Sequence, residues 1–242
     1  MIKKALRELL HRCGYSVSNI RQVPPPLLEK QNLLEINFDL VVAHYLLGKP
    51  DFFFIQVGAF DGVQGDPLRK FVLQHNWSGV LLEPQKRAFQ LLERNYANQP
   101  HLILKNAAIS DRHETRTLYT VGQGDVPGWC QGLASFDREV ILRHREMVPG
   151  LEHLIETEEI DCITFQELVE ECQIDHVDLL QVDAEGYDGE IIRMFPFDLI
   201  RPGIVHFERK HLSRRDLTNC LDLLVCRGYK FANDGDEDLV AY

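Results

Sequence analysis

The chain has 242 residues, 45% of them hydrophobic, enough for one large domain with its own core. Acidic residues outnumber basic ones by 37 to 26, a formal charge of −11. That balance argues against a nucleic-acid partner, because phosphate backbones are held mainly by Lys and Arg, and no apolar run is long enough to span a bilayer.

Residues 1–12 form a short basic amphipathic stretch. Two readings are open for it: a helix on an anionic membrane surface, or a terminal helix packed on its own domain or on a second subunit. The packed helix is preferred, and a homo-oligomer stays open with it. Pro24-Pro25-Pro26 breaks the chain. A second helix is predicted from about Leu27 to Leu47, closed by Gly48-Lys49-Pro50. Residues 1–49 therefore read as an N-terminal helical extension and 50–242 as the main domain.

From residue 50 strands and helices alternate, the pattern of a mostly parallel sheet covered on both faces. Strands are predicted near 52–57, 79–83, 102–107, 177–183 and 203–208. Thr164-Phe165-Gln166-Glu167 is a capping box, and Ser213 with Asp216 is an analogous helix start. Gly228–Phe231 and Asp238–Tyr242 flank Asn233–Asp236, predicting an antiparallel hairpin that closes the sheet. Six cysteines (13, 130, 162, 172, 220, 226) show no metal-binding spacing and read as reduced, mostly buried thiols of a cytoplasmic protein. No signal-peptide core is visible.

The first predicted strand runs into a glycine-bracketed turn, Gln56-Val57-Gly58-Ala59-Phe60-Asp61-Gly62, followed by Asp66-Pro67 as a helix start. Strand, glycine turn and helix open a nucleotide-type site in doubly wound folds. Phe60 stands where a dinucleotide fingerprint has its middle glycine, which disfavours a diphosphate ligand. The second strand ends at Glu83, about twenty residues on, where a carboxylate accepts hydrogen bonds from ribose hydroxyls. Pro84 behind it suits the first position of a helix. The glycine-rich stretch 121–135 reads either as a binding loop or as a plain surface excursion.

A second constellation closes the chain. The strand at 177–183 ends on Asp183, and the turn Ala184-Glu185-Gly186-Tyr187-Asp188 follows. Glu208 ends the next strand, with His206 two residues earlier on the same face. Ligands sit at the carboxyl ends of strands in open α/β sheets, so Asp183, Glu185 and Glu208 are expected in one crevice with Gly58 and Glu83. Clustered carboxylates repel and call for a functional or metal partner.

Phe54–Gly62 with Asp66-Pro67-Leu68, Gly79–Pro84, Asn106–Ser110, Ala134-Ser135-Phe136, Asp178–Asp188 and His206-Phe207-Glu208 together resemble the FkbM family of S-adenosylmethionine-dependent methyltransferases. The resemblance covers about residues 50–242. It implies the Rossmann-like α/β fold of class I methyltransferases, a seven-stranded sheet with one antiparallel strand, and O-methylation of a sugar, glycan or natural-product hydroxyl. By the same resemblance Gly58, Ala59, Phe60, Asp61 and Gly62 form the methionine-side loop of the cofactor site, Glu83 is the ribose carboxylate, and Asn106, Ala107 and Ala108 lie near the adenine. Asp183 and Glu185 match the acidic turn beside the transferred methyl. Gln56 replaces an acidic residue common in class I enzymes, and its amide oxygen accepts from an ammonium without charge.

A hydroxyl acceptor needs a general base or a metal ion to release its proton. Asp183 or His206 is expected to be the base, with Glu185 beside them. Asp183 and Glu208 are alternatively a Mg²⁺ pair. The acceptor pocket is expected from the N-terminal extension, residues 121–150 and the loop after Glu208, namely Arg209, Lys210 and His211. Three other functions compete: a nicotinamide-dependent Rossmann oxidoreductase, a nucleic-acid methyltransferase and a non-catalytic binding protein on the same fold. The first lacks its middle glycine, and the second lacks an Asn/Asp-Pro-Pro-aromatic motif after the fourth strand.

Overall fold

A computed structural model of the chain describes residues 35–46, 49 and 51–242. The expected terminal helix at 1–12 and the Pro24–Pro26 break lie outside the described residues.

The centre of the fold is a seven-stranded sheet. Its strands are β1 (Phe53–Val57), β2 (Ser78–Leu82), β3 (Leu102–Lys105), β8 (Leu179–Val182), β9 (Ile204–Glu208), β10 (Phe231–Asp234) and β11 (Asp238–Ala241). They lie in the order β10-β11-β9-β8-β1-β2-β3. Strand β11 runs antiparallel to both neighbours and the remaining pairs are parallel. The sequence expected this fold, including the closing hairpin, which turns at Gly235 in left-handed conformation (φ +64°).

Alternation along the strands sorts the core into two layers. Ile55, Val57, Leu180, Val182, Val205 and Phe207 face one side. There they meet α5 (Phe165–Cys172), α6 (Asp188–Met194) and α7 (Arg214–Cys226). Phe54, Leu81, Leu179 and Ile204 face the other, under α1 (Phe38–Leu46), α2 (Arg69–His75) and α3 (Lys86–Asn95). Each such buried side chain contributes about 1.5–3 kcal/mol. Strand order reverses between β1 and β8, so a crevice opens at their carboxyl ends. The capping box at Thr164 forms as predicted, and Ser213 caps α7 through the Asp216 amide.

Several boundaries move, each for a visible reason. The helix expected at 27–47 begins, within the described residues, only at Phe38. Before it, Ile36 N–H donates to the Asn233 carbonyl (2.9 Å), pinning the segment to β10. Residues 35–46 thus pack on the sheet: Phe38 and Val42 share the core of Phe52 and Phe54. Asp66 does not open a helix directly. Its Oδ1 accepts from Leu68 N–H (2.8 Å) in a side-chain turn, and α2 starts at Arg69. Pro84 precedes rather than starts α3, which begins at Lys86. The strand expected to reach 107 stops at Lys105, because the Asn106 amide turns back to the carbonyls of Glu83 (2.8 Å) and Pro84 (3.0 Å).

A second sheet escapes the sequence reading. Strands β4 (Ala108–Ile109), β5 (Glu114–Val121), β6 (Ala134–Ser135) and β7 (Ile155–Ile163) pair in the order β4-β7-β5-β6. Strands β5 and β7 are rich in Glu and Thr and carry no apolar run. Their long antiparallel pairing is held partly by cross-strand contacts such as Thr117 Oγ1 to Glu159 Oε1 at 2.6 Å. Between them lie a 3-10 turn (Gly128–Gly132) and α4 (Arg138–Leu142). Cys130, Cys162 and Cys220 are buried and Cys172 is half-buried, as expected, whereas Cys226 is exposed; all five are free thiols. No helix among the described residues is long and apolar enough to cross a membrane.

Candidate active site

A cavity of about 270 Å³ occupies the crevice where the strand order reverses. Gly58, Phe60, Glu83, Asp183 and Glu185 line it, and so does Ala108. The second sheet and its insertion cover it with Leu118, Trp129, Gly132, Ser135 and Phe136. Six of the expected site residues are therefore brought together, and the 121–135 stretch is part of the wall.

The turn after β1 explains how the cavity stays open. Gly58 has φ +82°, and a Cβ placed on it would lie 1.7 Å from the Asp183 carbonyl oxygen. Phe60, where a dinucleotide loop has glycine, adopts a left-handed φ of +45°. The Glu83 carboxylate holds it there: Phe60 N–H donates to Oε2 (2.8 Å), and Gln85 N–H donates to Oε1 (2.8 Å). Burial pushes the Glu83 carboxyl up to about 7, against the lowering effect of these two N–H groups.

The opposite wall is the turn after β8. Asp188 is fully buried and accepts from Ala184 N–H and Gly186 N–H, each at 3.1 Å. Burial raises its carboxyl to about 6. The turn gives Glu185 a left-handed φ of +46°, and Ser135 Oγ donates to its carbonyl (2.9 Å). Asp183 makes no side-chain hydrogen bond to the described residues. Its carboxylate opens onto the cavity and is exposed there, although it lies deep within the molecule. Its depth, then Asp188 and Glu185, raise its pKa well above the carboxylate range. Exposure to the cavity tempers the effect of depth, and the neighbouring carboxylates keep the direction. Burial and Asp183 push Glu208 up to about 10.

Other expected site residues serve the walls instead. Gln56 and His206 sit inside strands, on the face away from the cavity. Gln56 Nε2 donates to Asp66 Oδ1 (3.3 Å), while its Oε1, the atom expected to accept from an ammonium, is buried without a hydrogen-bond partner and Gln56 does not line the cavity. His206 is 2% exposed, stacks on Phe38 (4.2 Å between centroids) and pairs Nδ1 with Gln181 Oε1 at 2.6 Å. It is not placed to act as a base in the cavity. The alternation that puts it on one face with Glu208 holds, but Glu208 escapes α1 only because it ends the strand. We expect His206→Ala to lower the melting temperature while leaving ligand binding in the cavity intact, measured by thermal unfolding and calorimetry; a binding loss without a stability loss would contradict this placement.

Gly62 is glycine for packing, since a Cβ would lie 2.4 Å from the Tyr96 ring. The Asp61 carboxylate accepts from Val63 N–H and Gln64 N–H (2.9 Å each), holding the loop. Ala59 and Ala107 are buried, and Asn106 tethers the β2 end as described above. None of these five lines the cavity.

The structure adds one residue that sequence reasoning named only as part of a loop. His211, three residues after Glu208 and 8% exposed, brings Nε2 within 3.2 Å of Glu185 Oε2 and 3.9 Å of Glu208 Oε1. The Glu185 contact is close without hydrogen-bond alignment, and that oxygen has no hydrogen-bond partner. Donor atoms of Glu185, Glu208 and His211 converge within 4.8 Å. Asp183, expected to share a Mg²⁺ with Glu208, is not in this group. His211 also lines a second cavity of about 340 Å³, which shares Ser135, Phe136 and Tyr187 with the first. Arg116, Arg143 and Asp137 complete much of its wall, whereas no described residue of 35–46 reaches either cavity.

The family model "Methyltransferase FkbM domain" matches residues 56–231. Among curated proteins no relative matches the chain. The crystal structure of methyltransferase FkbM from Methylobacillus flagellatus KT aligns with a TM-score of 0.53 at 12% identity, covering 88% of this chain and 50% of that one. The chain thus spans half the length of that relative. Fibrillarin from Aeropyrum pernix, in complex with natively bound S-adenosyl-L-methionine, aligns with a TM-score of 0.40 at 12% identity, covering 84% and 74%. A methyltransferase from Pyrococcus furiosus aligns with 0.39 at 10% identity, covering 100% and 98%. At 12% identity the likeness to the Methylobacillus flagellatus structure is one of fold.

Proposed function

The chain belongs to the FkbM methyltransferase family, and on that footing we propose that its first cavity binds S-adenosylmethionine and that it methylates a hydroxyl oxygen of a sugar, glycan or small natural product. Glu83 carries this reading. It directly follows β2, lines the cavity with the Gly58 turn, and has only one backbone donor on each carboxylate oxygen. A carboxylate oxygen accepts two hydrogen bonds, so each has room for a ribose hydroxyl. The absence of a side chain at Gly58 lets the turn after β1 lie against the Asp183 carbonyl, which draws the two acidic walls of the cavity together. Phe60 in place of a middle glycine argues against a nicotinamide dinucleotide.

The cofactor supplies an electrophilic methyl group on a sulfonium sulfur. The protein's part is to hold the acceptor oxygen in line with it, to exclude water and to take the hydroxyl proton. Asp183 faces the cavity without a hydrogen-bond partner among the described residues, and its raised pKa makes it a stronger base than an ordinary carboxylate. Turnover should therefore rise with pH as Asp183 loses its proton. The second cavity suits the acceptor: the rings of Phe136 and Tyr187 suit a pyranose face, and Arg116, Arg143 and Asp137 suit its polar groups.

The test is mass spectrometry of products formed from methyl-labelled S-adenosylmethionine and a panel of hydroxylated glycans and natural products. One acceptor is expected to gain a single labelled methyl on oxygen. Asp183→Asn should lower this turnover at least about 100-fold while cofactor binding stays within about threefold. Surviving turnover would remove Asp183 as the base, and a wild-type protein that binds no S-adenosylmethionine would remove the reading itself.

A further inference from the structure

We infer that Glu185, Glu208 and His211 form a binding site for a first-row divalent cation of the Mn²⁺, Co²⁺ or Zn²⁺ type, set between the two cavities. Three elements deliver the donors: the turn after β8, the last residue of β9 and the loop leading to α7. One donor atom from each lies within 4.8 Å of the others, with His211 Nε2 3.2 Å from Glu185 Oε2. Ligand atoms around an ion with bonds of about 2.0–2.2 Å stand about 3–4 Å apart, so the triad is close to a coordinating arrangement.

The surroundings point the same way. Oε2 of Glu185 and Oε2 of Glu208 are buried atoms without hydrogen-bond partners. Independently of these carboxylates, His144 is 5% exposed and neither ring nitrogen has a hydrogen-bond partner. Its ring stands edge-on against that of His211, 5.4 Å between centroids. Buried polar atoms are rarely left unmatched, and here two carboxylate oxygens of the triad, and the imidazole packed beside His211, are left so. Lys210, the adjacent cation on the loop, is turned to Glu237 at 2.7 Å.

The donor set selects the ion. An imidazole nitrogen with two carboxylates suits Mn²⁺, Co²⁺ or Zn²⁺, whereas Mg²⁺ and Ca²⁺ favour all-oxygen shells. Rigidity supports binding as well: Asp188 locks the Glu185 turn from below, and Ser135 holds the Glu185 carbonyl. Because Glu185 lines the first cavity and His211 the second, the ion would meet an acceptor hydroxyl and ease loss of its proton. That role rests on the reading of the first cavity as the methyl-donor site; binding of the ion does not.

The experiment is calorimetric titration of chelator-stripped full-length protein with MnCl₂, ZnCl₂ and MgCl₂, with electron paramagnetic resonance of the Mn²⁺ sample. One Mn²⁺ or Zn²⁺ per chain is expected, at least tenfold tighter than Mg²⁺. Glu208→Gln should weaken it at least tenfold, and so should His211→Gln. Glu208→Gln is close to isosteric, so it keeps its fold, which circular dichroism checks. Absence of wild-type Mn²⁺ and Zn²⁺ binding overturns the proposal, as does unchanged affinity in both variants or a preference for Mg²⁺. S-adenosylmethionine is titrated into the same stripped samples. If it fails to bind while the metal does, the donor-site reading falls and the cation site stands.

Discussion

Gly58→Ala is expected to destabilise the protein by more than about 3 kcal/mol and to abolish ligand binding in the first cavity. The added Cβ would lie 1.7 Å from the Asp183 carbonyl oxygen, and the backbone at +82° is already one that alanine resists. Retreat is blocked on both sides. Asp183 N–H donates to the Val57 carbonyl (2.9 Å) and Gly58 N–H donates to the Leu82 carbonyl (3.0 Å), so the turn is sewn to β8 and β2 together. The turn can yield only by breaking these pairs at the point where strand order reverses. Urea unfolding and calorimetric titration with S-adenosylmethionine measure both losses. A variant within 1 kcal/mol of wild type that still binds would refute the close approach.

Glu83→Gln has a sign that depends on pH. The Glu83 carboxyl titrates near 7 in the folded protein against 4.5 as its ordinary value. Between those values the folded state holds the proton more tightly than the unfolded state. Wild-type stability therefore falls as pH rises from about 4.5 to about 7, by about 3 kcal/mol in all. Glutamine does not ionise and escapes that loss. It also trades one acceptor for an amide donor facing a backbone N–H, which costs about 1–2 kcal/mol. The variant should thus be less stable than wild type at pH 5 and more stable, by about 1–2 kcal/mol, at pH 8. Ligand affinity should move the other way. A ribose hydroxyl donating to the charged carboxylate favours ionisation, so wild-type binding should strengthen from pH 6 to 8 and release a proton. In Glu83→Gln it should be at least tenfold weaker and flat with pH. Parallel stability profiles for the two proteins would show that Glu83 is not held protonated by burial.

The residues that were legible in the sequence are those at strand ends. Short apolar runs mark β1, β2, β8 and β9 locally, and topology then carries Gly58, Glu83, Asp183 and Glu185 to one crevice whatever their neighbours do. Residues inside the strands were less legible. Gln56 and His206 lie one or two positions from site residues, yet which layer covers each face depends on α1 and α2 packing from elsewhere in the chain. The second sheet was hidden because β5 and β7 bury only their far halves and read as polar segments. His211 was hidden for another reason. Its approach to Glu185 depends on the path of a loop, and Gly186 makes room for it: a Cβ at Gly186 would lie 3.3 Å from His211 Cβ. The left-handed backbones of Phe60 and Glu185 were equally invisible, since neither residue type announces that conformation.

The acidic crevice has a consequence for the end of a catalytic cycle. Glu83, Asp183 and Glu185 line one cavity, and Asp188 acts on Asp183 from close by. On the proposed reaction the donor arrives with a positive sulfonium, and its spent form leaves as a neutral thioether. Asp183 and Glu185 attract the sulfonium of the first and find no such charge in the second, whereas the ribose assigned to Glu83 is common to both. Each transfer thus weakens the grip on its own by-product, so the spent donor should compete poorly with fresh donor, most of all at alkaline pH and low salt.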